Sequence, residues 1–260
     1  MVKSDPFRDN VVLLTGASRG IGREMAFQLA DQDAVLALAA RDADSLERVA
    51  IECRDRGARA VAIPGDVGFE ETCKRLVDET ITAHGRLDTL VCNAGITMWA
   101  LFEEIEDLSI LEAIMQVNYF GSVYCTRYAL PHLKKTRGRI VGVSSLTGKT
   151  GVPTRSGYAA SKHAMAGFFD TLRIELADSG VSVTVAYPDF VATDVRARAF
   201  GPDGKPLGTS PVQEGKVMTA DVCARRILAA AATRKREKEE KEQTERHRHR
   251  ELAQVLCAQA

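Results

Sequence analysis

Between residues 11 and 187, short and mainly apolar runs alternate with longer stretches of helical periodicity, and this alternation leaves few folds open. The apolar runs are Val11–Thr15, Ala34–Ala40, Ala60–Pro64, Leu87–Cys92, Arg139–Ser144 and Val181–Tyr187. Helical patterns fill Arg23–Gln32, Ser45–Arg56, Glu70–His84, Ile110–Lys135 and Tyr158–Asp178, with breakers at Gly57, Gly85, Arg137-Gly138 and Ser179-Gly180. A strand that is mainly apolar without alternation is buried on both faces. The pattern therefore predicts a doubly wound parallel sheet of the Rossmann type, six to seven strands wide, with helices on both sides. Such sheets bind ligands at the carboxyl ends of their strands, and the motifs below fall at those ends.

A chain of 260 residues suits one such domain. We expect it to span residues 1–232, closing with a helix at Ala220–Ala232, followed by a charged tail at 233–260. Between them, Val195–Met218 reads as an irregular flap rich in proline and glycine. The 35 basic and 35 acidic residues balance, which argues against a nucleic-acid partner. Cys53, Cys73, Cys92, Cys125, Cys223 and Cys257 form no C-x-x-C pair, so free thiols and no metal centre are expected. His247 and His249 sit in a charge run that reads as solvated rather than metal-binding. The opening MVKSDPFRDN has no apolar stretch and no run approaches the roughly 18 residues of a membrane span, so a cytoplasmic protein is expected.

The segment Thr15-Gly16-Ala17-Ser18-Arg19-Gly20-Ile21-Gly22 links the first strand to the first helix. Its glycines permit a tight turn and let backbone N–H groups at a helix start approach a pyrophosphate. An acid at the end of the second strand would hold the ribose hydroxyl of NAD. Here Ala39 and Ala40 stand there, followed by Arg41 and Asp42. Arg41 and Arg19 are placed to clamp a 2′-phosphate, which favours NADP(H) over NAD. Asp42 complicates this, since it can pair with Arg41 or accept a ribose hydroxyl.

Tyr158 and Lys162, four residues apart at a helix start, share one face. A phenol with a pKa near 10 is a poor acid–base at neutral pH, and a neighbouring ammonium lowers it. Tyr158 can then give a proton to a carbonyl or take one from an alcohol. Ser144, Ser145 and Thr147 all offer a hydroxyl near the end of the fifth strand to orient the substrate oxygen.

Together these features resemble the single-domain, NADP-preferring branch of the short-chain dehydrogenases/reductases. TGASRGIG is similar to the family's TGxxxGxG, Asp66-Val67 to its adenine-contacting pair, and Asn93-Ala94-Gly95 to its NAG motif. Asn118, Ser145, Tyr158 and Lys162 match its catalytic residues, the serine-to-tyrosine spacing selecting Ser145. Pro188-Asp-Phe-Val-Ala-Thr193 matches its P-G-x-V-x-T stretch. The resemblance covers about residues 8–230. It implies an oxidoreductase, such as a carbonyl reductase, that moves a hydride between NADP(H) and a ketone or secondary alcohol. Gly16, Ser18, Arg19, Gly20, Ile21, Gly22, Arg41, Asp66, Val67, Asn93, Ala94 and Gly95 would hold the dinucleotide. Lys162 would also hold the nicotinamide ribose, Asn118 would place a water for proton relay, and Val191 and Thr193 would meet the carboxamide or pyrophosphate. Ser145 and Tyr158 would touch the substrate. The rival reading is a catalytically idle binding or regulatory protein on the same fold.

The chain departs from the family at two places. Asp189 stands where the family has a glycine, which would permit a positive φ, and aspartate tolerates that region better than most residues. At Arg236–Glu242 no apolar run supplies the family's seventh strand, so a solvated helix and an exposed sheet edge are expected. A homodimer through the helices bearing Asn118 and Tyr158 is unaffected, whereas a tetramer through the last strand is placed in doubt. The pocket is expected to be apolar, with Met98, Trp99, Leu146, Val152 and Phe200 among its walls.

Overall fold

The structure is a computed structural model that describes residues 5–212 and 217–239. Six parallel strands form where the apolar runs predicted them: β1 (Val11–Thr15), β2 (Val35–Ala40), β3 (Arg59–Pro64), β4 (Thr89–Cys92), β5 (Arg139–Val143) and β6 (Ser182–Tyr187). Their alternate side chains feed opposite layers. From β1, Val12 and Leu14 join Leu36 and Leu38 under α1 (Gly20–Ala30), α2 (Ala43–Asp55) and α7 (Ala220–Ala232). Leu13 instead joins Leu90 and Ile140 under α3 (Glu70–His84), α5 (Gly121–Thr136) and α6 (Ser156–Glu175). Burial on both faces is why these strands are mainly apolar, their few polar side chains such as Thr89 and Thr184 being buried as well.

The spatial order is β3-β2-β1-β4-β5-β6, with one further short strand, Glu237–Glu239, beyond β6. Progression reverses between β1 and β4, so a crevice opens at their carboxyl ends. The long helical stretch before β5 is built in three parts. These are α4 (Ser109–Met115), a π turn over Gln116–Phe120, and α5, which ends at Arg137 in the left-handed region (φ 51°). A small parallel pair, β7 (Val191–Ala192) and β8 (Met218–Thr219), closes the base of the flap.

The expectation at the end of the chain is corrected. Residues 237–239 do not form a solvated helix; they form β9 (Glu237–Glu239), a seventh strand parallel to β6, with Val185 opposite Glu237. An outermost strand needs mainly to satisfy its neighbour's backbone groups, so no apolar run is required. Polar contacts hold the approach to it. Thr184 Oγ1 donates to the Lys235 carbonyl (2.6 Å), the Val185 N–H to that of Arg236 (3.0 Å), and Arg234 to the carbonyls of Arg137 and Gly180. Lys149 Nζ meets Glu237 at 2.6 Å. His247 and His249, and the tail expected beyond residue 239, lie outside the described residues.

Candidate active site

At the crevice, Gly16 (φ 67°) and Gly20 (φ 54°) occupy the left-handed region that the tight turn requires. A Cβ on Gly22 would overlap the Gly16 carbonyl oxygen and come within 2.6 Å of Asn93 Nδ2. Arg19 stands at the N-cap of α1 and makes no side-chain cap, so the first-turn N–H groups are left for a ligand. Asn93 Nδ2 donates to the carbonyls of Thr15 (3.0 Å) and Gly16 (3.2 Å), pinning the turn from β4. The Thr15 hydroxyl accepts the N–H groups of Asn93 and Ala94 and donates to Val91, riveting β1 to β4. The sequence reading gave Thr15 no role; its signal is a hydroxyl ending an otherwise apolar buried strand.

One cavity of about 860 Å³ runs from this turn to the ends of β5 and β6. Ser18, Ile21, Ala39, Ala40, Arg41 and Asp42 line one end, with Asp66, Val67, Ala94 and Gly95 beyond them. Asp66 Oδ1 accepts the Gly68 N–H (2.9 Å) and its other oxygen lies 3.7 Å from Arg41. Asp42 pairs with Arg19 (2.9 Å), not with Arg41, and caps α2 by accepting both the N–H and hydroxyl of Ser45. Those Ser45 bonds hold its carboxyl below the usual range. Arg19 also meets Asp194 at 3.2 Å. Thr193 stands over the turn, its methyl 3.2 Å from where a Cβ on Gly20 would lie.

At the other end the structure separates the two serines. Ser144 is buried and its hydroxyl donates to the Lys162 carbonyl (3.2 Å), whereas Ser145 is half-buried at the cavity wall and its hydroxyl accepts the Thr147 N–H (3.3 Å). Lys162 Nζ donates to the Val143 carbonyl at 2.9 Å and sits 5.7 Å from the centre of the Tyr158 ring. Burial draws its pKa down to about 8. Burial pushes the Tyr158 phenol up, and the Arg155 guanidinium and the Ser145 hydroxyl act against that rise.

Asn118 lies in the π turn and is fully buried. Its Oδ1 accepts the Ile96 N–H (2.8 Å), and its Nδ2 donates to the Ile96 carbonyl (2.9 Å) and to Ser161 Oγ (2.9 Å). Its side chain is thus spent on holding the loop after β4, with Gly95 packed between Asn118 and Lys162. Asp189 does not take a positive φ, so the turn after β6 forms without the left-handed backbone that glycine would have permitted, and one carboxylate oxygen of Asp189 is buried there without a hydrogen-bond partner among the described residues. Of the expected apolar wall, Leu146, Val152 and Phe200 line the cavity. Met98 does not; it is fully buried, packing behind the site with Tyr158. Trp99 lies instead beneath the Arg155 side chain.

A reversed parallel sheet with a phosphate-sized glycine cradle at the point of reversal defines a Rossmann-type protein. Residues 10–202 match the short chain dehydrogenase family, and the chain belongs to it. It is 46% identical over 190 residues to 11-beta-hydroxysteroid dehydrogenase-like 4A of Arabidopsis thaliana, an alignment covering 73% of this chain and 63% of that protein. The chain thus spans under two thirds of that relative's length. It superposes on a short chain dehydrogenase/reductase from Burkholderia phymatum in complex with NAD with a TM-score of 0.80, at 25% identity and 89% coverage of both chains. A Thermococcus sibiricus alcohol dehydrogenase complexed with 5-hydroxy-NADP gives 0.74, at 26% identity, covering 85% of this chain and 89% of that one.

Proposed function

We propose that this oxidoreductase interconverts a carbonyl compound and a secondary alcohol, with NADP(H) as hydride partner and Tyr158 as the proton donor and acceptor. The observation that carries the reading is the placement of Ser145, Tyr158 and Lys162 on one cavity wall, continuous with the glycine cradle. The cradle fits a dinucleotide, since Gly22 keeps its floor clear and the α1 N-terminus faces it. Bound there, NADP(H) supplies the hydride. Ser145 holds the substrate oxygen, Tyr158 passes it a proton in reduction or removes one in oxidation, and Lys162 stabilises the phenolate left behind. Asn118 positions these groups by fixing the loop that carries Gly95 and Ile96.

Support for NADP(H) comes from the end of β2. Ala39 and Ala40 offer no acid to a ribose hydroxyl, Asp42 is committed to Arg19 and the α2 cap, and Arg41 stands exposed at the rim. The apolar wall of Leu146, Val152 and Phe200 suits an alicyclic or similarly apolar ketone, and the relative's printed name makes steroids the first substrates to try. We also read the exposed Phe120, stacked on Tyr124 at 5.9 Å, as part of a homodimer face near Asn118. The test is turnover of a ketone panel that includes steroids, followed at the nicotinamide absorbance. Tyr158→Phe is expected to abolish turnover while NADPH still binds; undiminished turnover would refute the mechanism.

A further inference from the structure

The helix that carries Tyr158 and Lys162 brings a second cation to the phenol. Arg155, at the N-cap, precedes Tyr158 by three residues, and Lys162 follows it by four on the same helix face as the phenol. The Arg155 guanidinium carbon lies 5.9 Å from the centre of the Tyr158 ring, and Lys162 Nζ lies 5.7 Å from it. We propose that Arg155 is a positioning residue for Tyr158, a fixed positive charge held beside the phenol by the loop after β4.

Three features show that this guanidinium is built into place rather than left on the surface. Arg155 is 5% exposed although it stands at the N-cap of α6, and its side chain makes no cap there. It crosses instead to the loop after β4, where Nη1 donates to Thr97 Oγ1 (2.8 Å) and to the Met98 carbonyl (3.1 Å), and its guanidinium carbon lies 4.1 Å from the centre of the Trp99 ring. The residue before it, Thr154, is held at φ 63°, a region that β-branched residues rarely enter. The Thr154 carbonyl accepts the Ala100 N–H, so the strained turn and the anchoring loop are tied together. Strain of this kind is kept where the surroundings enforce a functional geometry.

The two cations differ in what they contribute. Lys162 is buried, its pKa falls to about 8, and its Nζ is directed to the Val143 carbonyl. Its charge fades on mild alkalinisation. A guanidinium keeps its charge throughout the range in which enzymes work. Among the described residues, the polar and charged groups facing Tyr158 are Lys162 from its own helix, Arg155 from the N-cap of that helix and Ser145 from the end of β5. Met98, Ile96, Leu111 and Phe200 share one apolar cluster with Tyr158, and Asp189 and Asp194 are the charged residues of the cavity wall nearest in sequence to the β6 end. Against burial, which favours the neutral phenol, Arg155 is the leading charge on the phenolate's side.

The inference rests on Tyr158 as the acid–base group, so its test reads the phenol directly. The ultraviolet tyrosinate titration of Tyr158 is isolated by subtracting that of the Tyr158→Phe variant, alongside the pH profile of kcat/KM. Arg155→Gln keeps hydrogen-bond donors for Thr97 and Met98 but removes the charge. It is expected to weaken the acidity of Tyr158 tenfold or more and to move the pH profile in the same direction. Arg155→Lys is expected to restore most of the acidity. Should Arg155→Gln fail to fold, Thr97→Val removes one of the two anchors, and at least a twofold loss of acidity is expected. An unchanged Tyr158 titration in a folded Arg155→Gln or Thr97→Val protein would overturn the role of Arg155. Activity persisting in Tyr158→Phe would instead overturn the acid–base reading, whatever Arg155 does.

Discussion

Asn118→Ala tests how the catalytic loop is held. The Asn118 amide makes three hydrogen bonds at 2.8–2.9 Å, two of them to the backbone of Ile96 and one to Ser161. The Ile96 backbone is half-buried, so water can replace part of what is lost, and the lower range of bond energies applies. Three bonds at about 1 kcal/mol net each come to about 3 kcal/mol. For a domain of this size that corresponds to a fall in Tm of about 6–12 °C. Asn118→Leu refills the volume without restoring any bond and so separates bonding from cavity formation; it should fall nearly as far. Differential scanning calorimetry of the cofactor-free protein gives the Tm, and titration with NADPH reports the site. Because Gly95 packs between Asn118 and Lys162, cofactor affinity should drop along with stability. A leucine variant melting within about 2 °C of the parent would refute the reasoning, because the loop would then be held by something other than this amide.

Arg41→Ala should weaken NADPH binding by about 10–100-fold and NADH far less, as expected for the loss of one charge-assisted phosphate contact; equal losses in a fluorescence titration would make this arginine structural. Gly22→Ala forces a methyl group against the Gly16 carbonyl and Asn93, so cofactor binding should be lost, with destabilisation of about 1–3 kcal/mol in denaturant titration. Lys162 gives a pH dependence of defined sign. Its pKa is about 8 in the native protein against an ordinary 10.5, so between those values the unfolded chain binds more protons and stability rises with pH. Compared with Lys162→Met, the parent should therefore gain Tm steadily from about pH 8 to about pH 10 and show no such trend below.

The sheet was legible because strands buried on both faces are mainly apolar, and the glycine cradle because glycine tolerates its backbone best. What sequence reasoning missed was governed by backbone bonding or direction. β9 was invisible because an edge strand is recruited by the free edge of β6, so Glu-Lys-Glu suffices. The choice between Ser144 and Ser145 turns on which neighbour faces α6, which strand alternation alone left open. Arg155 looked like an ordinary residue before a helix, and only the fold brings Thr97, Met98 and Trp99 to it. The pairing of Arg19 with Asp42 rather than Arg41 with Asp42 likewise depends on how the turn crosses the end of β2.

The π turn at Gln116–Phe120 also constrains how this chain can vary in length. It adds a residue to a helical path that on one side packs Ile114 against Met98 and Ala100 behind the pocket. On the other side the path seats Cys125, Ala129 and Leu133 against the sheet. A widened turn takes up one extra residue without adding rotation, so Ile114 and Cys125 keep their faces on either side of it. Deleting a single residue there would restore ordinary helical winding and leave both apolar seams seated, at the cost of the widened turn that carries Asn118. A one-residue change of length elsewhere in α4 or α5 has no such absorber and would rotate one flank by about 100° relative to the other.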